Sequence, residues 1–340
     1  MIITVTFNPS LDEWVYLPQL RLGELNRATQ FARYPGGKGI NVSRVVHELG
    51  GKTLAVALAG DSDGTILSHL LTHHRLPHRF IEVAGSTRNN YHIHTNVPNA
   101  LTQINCPGPR VSAQSLGDVE RLLSQSRRRT SCVVLSGSLP PGLPTRTYQR
   151  LIARLNRLGV PTVLDTSGPA LRQGLTAHPW LTKPNRAEAE ALLGKRLRRL
   201  SDVANAAKQL VAPPPVSSPK ATLGKADDGP SGQATGGGGV GRGPQLAIVS
   251  LGPDGAVLAA QAHDEVLWGK PPRVPVESAV GAGDSLIAGF VVGWLRTHSL
   301  HEALRLGIAC GAACAMTPGT ELCHRADVER LKRLVRIRAI

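Results

Sequence analysis

Short apolar runs recur along the chain at Ile2 to Phe7, Leu54 to Ala59, Cys132 to Ser136, Thr162 to Asp165 and Leu246 to Leu251. Their length and their Val, Ile and Leu content predict strands buried on both faces. Between many of them the apolar residues fall three and four apart. Ile40, Val45, Val46 and Leu49 make one helix face, closed by Gly50-Gly51, and Tyr148, Leu151, Ile152, Leu155 and Leu158 make another, closed by Gly159. Strand and helix in alternation predict the α/β class: a doubly wound, mostly parallel sheet flanked by helices.

Two regions break that rhythm. Val15 to Tyr34 and Tyr91 to Ile104 read as short alternating strands with polar neighbours. They predict a small antiparallel β lid beside the main sheet, formed by about residues 12–34 and 88–105. Ala212 to Pro244, "APPPVSSPKATLGKADDGPSGQATGGGGVGRGP", differs in kind. Proline and glycine dominate it and little in it can be buried, so it is expected to be a disordered Pro/Gly-rich insertion in a single domain of residues 1–340.

The 340 residues, 41% of them hydrophobic, suffice for a substantial core. Aromatics are only 4%, so Leu, Val, Ile and Ala must fill it. The formal charge of +15 brings a nucleic-acid partner into view. The basic residues stand in short clusters, at Arg127-Arg128-Arg129, Lys195 to Arg199 and Lys332 to Arg338. No aromatic residues interleave with them to stack bases, and no zinc-finger spacing appears. A solvated basic surface without a nucleic-acid partner is the expectation.

The cysteines Cys106, Cys132, Cys310, Cys314 and Cys323 form no CxxC pair. Cys310 and Cys314, one helical turn apart in a small apolar segment, read as core filler in a reducing compartment. The N-terminal "MIITVTF" alternates like a strand and lacks the order of a signal peptide. No apolar run approaches the ~20 residues a membrane helix needs. A cytoplasmic protein with no membrane partner is the expectation.

Candidate chemistry concentrates in "VESAVGAGDSLIAGF", Val276 to Phe290. A helix start leaves backbone N–H groups without partners, and small residues let a ligand approach them. Gly281, Ala282 and Gly283 therefore suit an anion, above all a phosphoryl group, at the positive end of a helix running through Leu286, Ile287, Phe290 and Leu295. Asp284 in the first turn either complements the helix dipole or serves as a general base for a hydroxyl attacking that phosphorus.

Other parts of a phosphotransferase are present. "SLGPDG", Ser250 to Gly255, fits a turn facing a nucleotide phosphate, or a plain hairpin. In "TKPNRAEAE", Asn185 and Glu188 stand three apart at a helix start. They could hold water around Mg²⁺, or cap the helix reciprocally. "YPGGKGINVSR", Tyr34 to Arg44, is not a Walker A loop. It suits a polyhydroxylated or phosphorylated small molecule, with Asn41 for hydroxyls and Lys38 for charge. "FNPSLD" could bring Asp12 to the same crevice, beyond the carboxyl ends of the strands.

In order, the chain carries "NPSLD", "LNRAT", "YPGGKGINVSR", "STRNN", "LSGSLPPGLP", "LDTSGPAL", "TKPNRAE", "SLGPDG", "VGAGDS" and "PGTE". With this set it resembles the PfkB-type, ribokinase-like carbohydrate kinases. Within them it is similar to the branch of 1-phosphofructokinase, tagatose-6-phosphate kinase and the minor bacterial 6-phosphofructokinase. The resemblance covers nearly everything except Ala212 to Pro244. It implies a ribokinase-like fold and a kinase that uses ATP and Mg²⁺ to phosphorylate a hydroxyl of a sugar phosphate.

The resemblance further implies that Asp284 is the general base and that Gly281, Ala282 and Gly283 form the anion hole. Lys183, Asn185, Glu188, Ser250, Gly252 and Gly255 would lie on the nucleotide side, with Asn185 and Glu188 reaching the metal through water. Asp12, Gly37, Lys38, Asn41 and Ser138 would bind the sugar, and Arg27 and Arg88 its phosphate. Relatives dimerise through the lid, which implies a homodimer with Arg27 acting across the subunit boundary. There are departures. Ser278 stands where the broad family often has an acid, Ala279 replaces a hydroxyl residue common in the branch, and the insertion has no counterpart.

The motifs divide over the substrate. "YPGGKGINVSR" with Lys38 looks most like 1-phosphofructokinase, and fructose 1-phosphate is the expected substrate. "PSLD" and "PGTELC" lean toward 6-phosphofructokinase, and "NPS" and "TRNN" also suit tagatose-6-phosphate kinase. The rival from another class is a non-catalytic nucleic-acid-binding protein on a kinase-like scaffold.

Overall fold

The computed structural model describes residues 1–212 and 245–340. From residue 213 on, the insertion expected at 212–244 lies outside the described residues. The first part of the chain forms β1 (Ile2–Thr6), β2 (Ser10–Leu17), β3 (Gln30–Gly36), α1 (Lys38–Glu48), β4 (Thr53–Ala59), α2 (Asp61–His73), β5 (His78–Glu82), β6 (Arg88–Asn96) and β7 (Asn99–Asn105). There follow α3 (Ala113–Ser126), β8 (Cys132–Ser136), α4 (Thr147–Arg157), β9 (Thr162–Asp165), α5 (Gly168–Leu175), β10 (Leu181–Thr182), α6 (Arg186–Leu193) and α7 (Leu200–Val211). The last part adds β11 (Leu246–Ser250), β12 (Ala256–Ala260), β13 (His263–Lys270), α8 (Ala282–Thr297), α9 (Leu300–Ala315), α10 (Arg325–Lys332) and β14 (Arg336–Ala339).

The main sheet is 10-stranded in the order β14-β13-β12-β11-β10-β9-β8-β1-β4-β5. From β5 to β11 every pairing is parallel, and β12, β13 and β14 continue it antiparallel. Both faces are apolar because successive residues of a strand point to opposite sides. Ile2 and Val134 enter the core under α1, α8 and α9, while their neighbours Ile3 and Val133 enter the core under α3 and α4. Such a sheet must be covered on both faces, and the helices do so.

The second sheet is the lid, in the order β3-β2-β6-β7. Its outer pairs, β2 with β3 and β6 with β7, are antiparallel, and β2 and β6 pair in parallel at its centre. Only Phe7, Asn8 and Pro9 separate β1 from β2, so the lid springs from the carboxyl end of a central strand. Leu11 and Trp14, on opposite faces of β2, are both buried, while Phe31, Tyr91 and Ile104 on the face of Leu11 and Leu101 on the face of Trp14 are exposed.

Leu295 does not join the buried face of α8; it is 37% exposed, and Trp294, one turn beyond Phe290, packs on the core instead. Cys310 and Cys314 are free, buried thiols of the core beneath α8, in keeping with their expected role as filler, and Cys323 is free and buried in the same core. Among the described residues, no helix is long and apolar enough to cross a membrane.

Candidate active site

The parallel strands deliver their carboxyl ends to one crevice, where the loop after β1, Gly137-Ser138 after β8, Asp165 ending β9, Lys183 after β10 and Ser250 ending β11 converge with the N-termini of α1 and α8. That is where open α/β sheets bind ligands.

Gly281 adopts a φ of 84°, in the left-handed region, and this turn lets α8 start without a side-chain cap. Ala282 spends its amide on the Ala279 carbonyl (3.3 Å). A β-carbon on Gly283 would lie 3.3 Å from the Lys183 ammonium, which therefore sits over the helix start. Asp284 follows, buried. Its Oδ2 accepts a hydrogen bond of 2.9 Å from the Asn41 amide, across the crevice from α1. Burial pushes its carboxyl up to about 6; Lys38 works against that rise and Asp165 adds to it.

Asp165 organises the floor. Lys38 Nζ lies 3.3 Å from its Oδ2 and Lys183 Nζ 3.2 Å from its Oδ1, and the Ser136 hydroxyl donates to it at 3.2 Å. Burial disfavours its charge, but Lys183 and Lys38 override that and hold the carboxyl below its ordinary value. Asp165 in turn raises Lys38 above the ordinary lysine value against the cost of burial, with Asp284 and Glu188 adding to it.

Asn185 and Glu188 form the capping box of α6: the Asn185 side chain accepts from the Glu188 amide, and the Glu188 carboxylate from the Asn185 amide, both at 2.8 Å. Asn185 also bridges to Ser250, whose amide donates to the Pro184 carbonyl at 3.0 Å. The Gly252–Gly255 turn is a hairpin joining β11 to β12, and its start lies beside Asn185.

Toward the lid, the buried Asp12 Oδ1 accepts from the Ser10 hydroxyl (2.8 Å) and the Asn90 amide (3.0 Å). Gly36 packs so closely that a β-carbon there would collide with the Asp12 carboxylate. Gly37 stands at the N-terminus of α1, directly before Lys38. Asn41 keeps its buried Oδ1 without a partner. Ser138 accepts from the Asn8 amide at 3.0 Å. The Arg88 guanidinium donates to Asn90 Oδ1 and to the carbonyls of Cys106 and Asn8, all at 3.2 Å. Arg44, from the same segment as Lys38, faces away and donates to the carbonyls of Pro35 and Thr320.

Arg27 is the residue this arrangement does not bring in. It sits exposed in the loop between β2 and β3, and no hydrogen bond or ion pair among the described residues includes it. Asp165 and Asn90 were not singled out from sequence. A signal existed for Asp165: it is a lone carboxylate ending the apolar run "TVLD" at a strand's carboxyl end.

Fold and crevice together define an α/β phosphotransferase, and the comparisons agree. The pfkB family carbohydrate kinase pattern matches residues 5–218 and 234–327. The chain is 35% identical to the ATP-dependent 6-phosphofructokinase isozyme 2 of Mycobacterium tuberculosis, over 97% of this chain and 88% of that protein. It is 33% identical to the 1-phosphofructokinase of Bacillus subtilis, over 94% of this chain and 95% of that protein. Phosphofructokinase-2 from Escherichia coli, in complex with substrates and products, superposes with a TM-score of 0.83 at 30% identity, over 98% of both chains. The chain belongs to the pfkB family of carbohydrate kinases. It is a sugar-phosphate kinase, a phosphotransferase that acts on a hydroxyl group.

Proposed function

We propose that the protein is an ATP-dependent 1-phosphofructokinase, which transfers the γ-phosphoryl group of ATP to the free hydroxymethyl oxygen of fructose 1-phosphate. The products are fructose 1,6-bisphosphate and ADP. The observation that carries the mechanism is Asp284: buried, bonded away from its own helix, and raised toward neutrality at an uncapped, glycine-flanked helix start.

In this mechanism Asp284 accepts the hydroxyl proton while the substrate oxygen bonds to the γ-phosphorus. The bond from that phosphorus to the bridging oxygen breaks, and its electron pair leaves with ADP. The positive end of α8, Lys183 and Lys38 meet the charge of the transferring group. Asp12, Gly37, Asn41 and Ser138 bind the sugar. The orphaned Asn41 Oδ1 suits a sugar hydroxyl, since a buried acceptor without a donor is costly. Arg88 holds the substrate's phosphate. Ser250, Gly252 and Gly255 face the nucleotide.

Mg²⁺ would be held by Glu188 and Asn185 through water and by the nucleotide's phosphates. The donor set fits, because Mg²⁺ keeps much of its hydration shell and Glu188 Oε1 stays outside the capping box. When bound, the ion neutralises charge on the β- and γ-phosphates. A homodimer through the lid completes the reading. It would cover the exposed Phe31, Tyr91 and Ile104, which share one lid face, and bring Arg27 to the partner's sugar phosphate.

Lys38 in the "YPGGKG" segment favours fructose 1-phosphate. Fructose 6-phosphate is the second reading, on "PSLD", "PGTELC" and the 35% likeness to a 6-phosphofructokinase; tagatose 6-phosphate is a third, on "NPS" and "TRNN". Pocket differences of about 1–3 kcal/mol decide between such sugars. Coupled turnover with the three in parallel tests the choice: the highest kcat/KM should belong to fructose 1-phosphate, and a higher value for either other sugar rejects it.

A further inference from the structure

Asp165 is the most completely enclosed charge of the crevice. Its side chain is 0% exposed, and it touches two ammonium groups from segments far apart in sequence, at 3.3 and 3.2 Å. Lys38 enters from the start of α1 and Lys183 from the end of β10. Two ammonium groups so close repel one another, and each rides on a flexible stem with several rotamers to lose. An anion between them removes the repulsion and fixes both heads. Ser136 holds that anion from below, and the Tyr148 hydroxyl beside it is spent on the Gly137 carbonyl.

We propose that Asp165 is a positioning residue, whose carboxylate pins the Lys38 and Lys183 ammonium groups side by side where the phosphoryl group is transferred. It touches neither substrate and acts through the lysines. The proposal rests on the kinase mechanism above. A second consequence concerns Asp284, which is faced by Lys38 and Asn41 from α1, Lys183 from the end of β10, Asp165 from β9 and Cys314 from α9, with Glu188 acting on Lys38. Within that set Asp165 and the lysines pull Asp284 in opposite directions, so loss of the Asp165 charge leaves both lysines free to favour the ionised base.

Asp165→Asn keeps the shape and removes the charge. With the sugar phosphate and MgATP it should lower kcat by about 10²-fold, the cost of misplaced reacting groups, with smaller changes in KM. The acid limb of kcat/KM should move to lower pH, a change that a merely structural role does not produce. A folded variant with wild-type kcat and an unmoved limb would overturn the proposal. If the Asn variant does not fold, Asp165→Glu keeps the charge but shifts it by one methylene. It should lose at least about tenfold in kcat, and full activity there overturns the proposal equally. Asp284→Asn separates the two claims. Turnover that survives in Asp284→Asn rejects the base itself, whereas an inactive Asp284→Asn beside a fully active Asp165→Asn rejects the anchor alone.

Discussion

Helices α6 and α8 begin at the same crevice, each with an acid in its first turn, and they use that acid in opposite ways. Glu188 turns back on α6, accepting from the Asn185 amide while Asn185 accepts from the Glu188 amide, so that helix end closes on itself. Asp284 is buried, takes its hydrogen bond from Asn41 on another helix, and leaves the start of α8 uncapped. A first-turn acid engaged by its own helix is a cap, worth about 1 kcal/mol. One held away from its helix, with its ionisation shifted by burial, leaves both a proton acceptor and a set of N–H donors for a ligand. Local sequence makes the two look alike; their long-range partners separate them.

The comparison breaks most visibly at Asp284→Asn, which should lower kcat by at least about 10²-fold, the cost of a lost general base, with KM little changed. Stability should move the other way. Burial lifts this carboxyl to about 6, above the unfolded value of about 4, so the native state binds the proton more tightly than the unfolded state does. Stability is therefore fully present below about pH 4 and is lost as pH rises through about 6. Asn escapes that loss, so at pH 8 the variant should melt no lower than the parent. Normal turnover with a lowered Tm would make Asp284 a cap like Glu188.

Arg88→Ala sharpens the contrast from the sugar side. A charge-assisted contact is worth about 2 kcal/mol, so KM for the sugar phosphate should rise by about 30-fold, with KM for ATP and kcat little affected. Equal effects on both substrates would remove Arg88 from the phosphate site. At the other helix, Glu188→Gln keeps an acceptor for the capping box and should leave Tm nearly unchanged. It should raise the Mg²⁺ concentration for half-maximal rate by about tenfold, the scale for groups that hold a metal's outer shell. An unchanged Mg²⁺ requirement would leave Glu188 a cap only. The smallest effect on chemistry belongs to the lid. Phe31→Asp with Ile104→Lys should yield monomers in sedimentation, with a raised KM for the sugar phosphate and a near-normal ATP site. A dimer that persists would put the interface elsewhere.

Much of this was legible in sequence because it is local. Apolar runs such as "TVLD" and "LAIVS" mark strands by themselves, and glycines before an apolar helix mark an anion site by the chemistry of helix ends. The lid too was visible, in the alternation of Tyr91 to Ile104. What stayed hidden is long-range. Nothing near Asp165 announces two lysines, because one lies 127 residues away. Asn185 and Glu188 fitted a cap and a metal site equally, since spacing shows that two groups can meet but not what else they meet. The helix expected through Leu295 does run through it, but which of its side chains face inward is set by helical geometry, and it is Trp294, one turn past Phe290, that packs on the core.

Asp284 must be ionised to accept the substrate's proton, and the pH dependence of kcat/KM in the parent beside Asp284→Asn reports that ionisation. The sugar phosphate's own second ionisation also falls near pH 6, but it is common to both proteins, so the difference between the profiles belongs to Asp284. The parent should lose activity about tenfold per pH unit below a limb near 6, beyond whatever the substrate contributes, and the residual activity of the Asn variant should lack this component. Superimposable profiles, or a parent whose kcat/KM shows only the substrate's ionisation down to about pH 5, would contradict it.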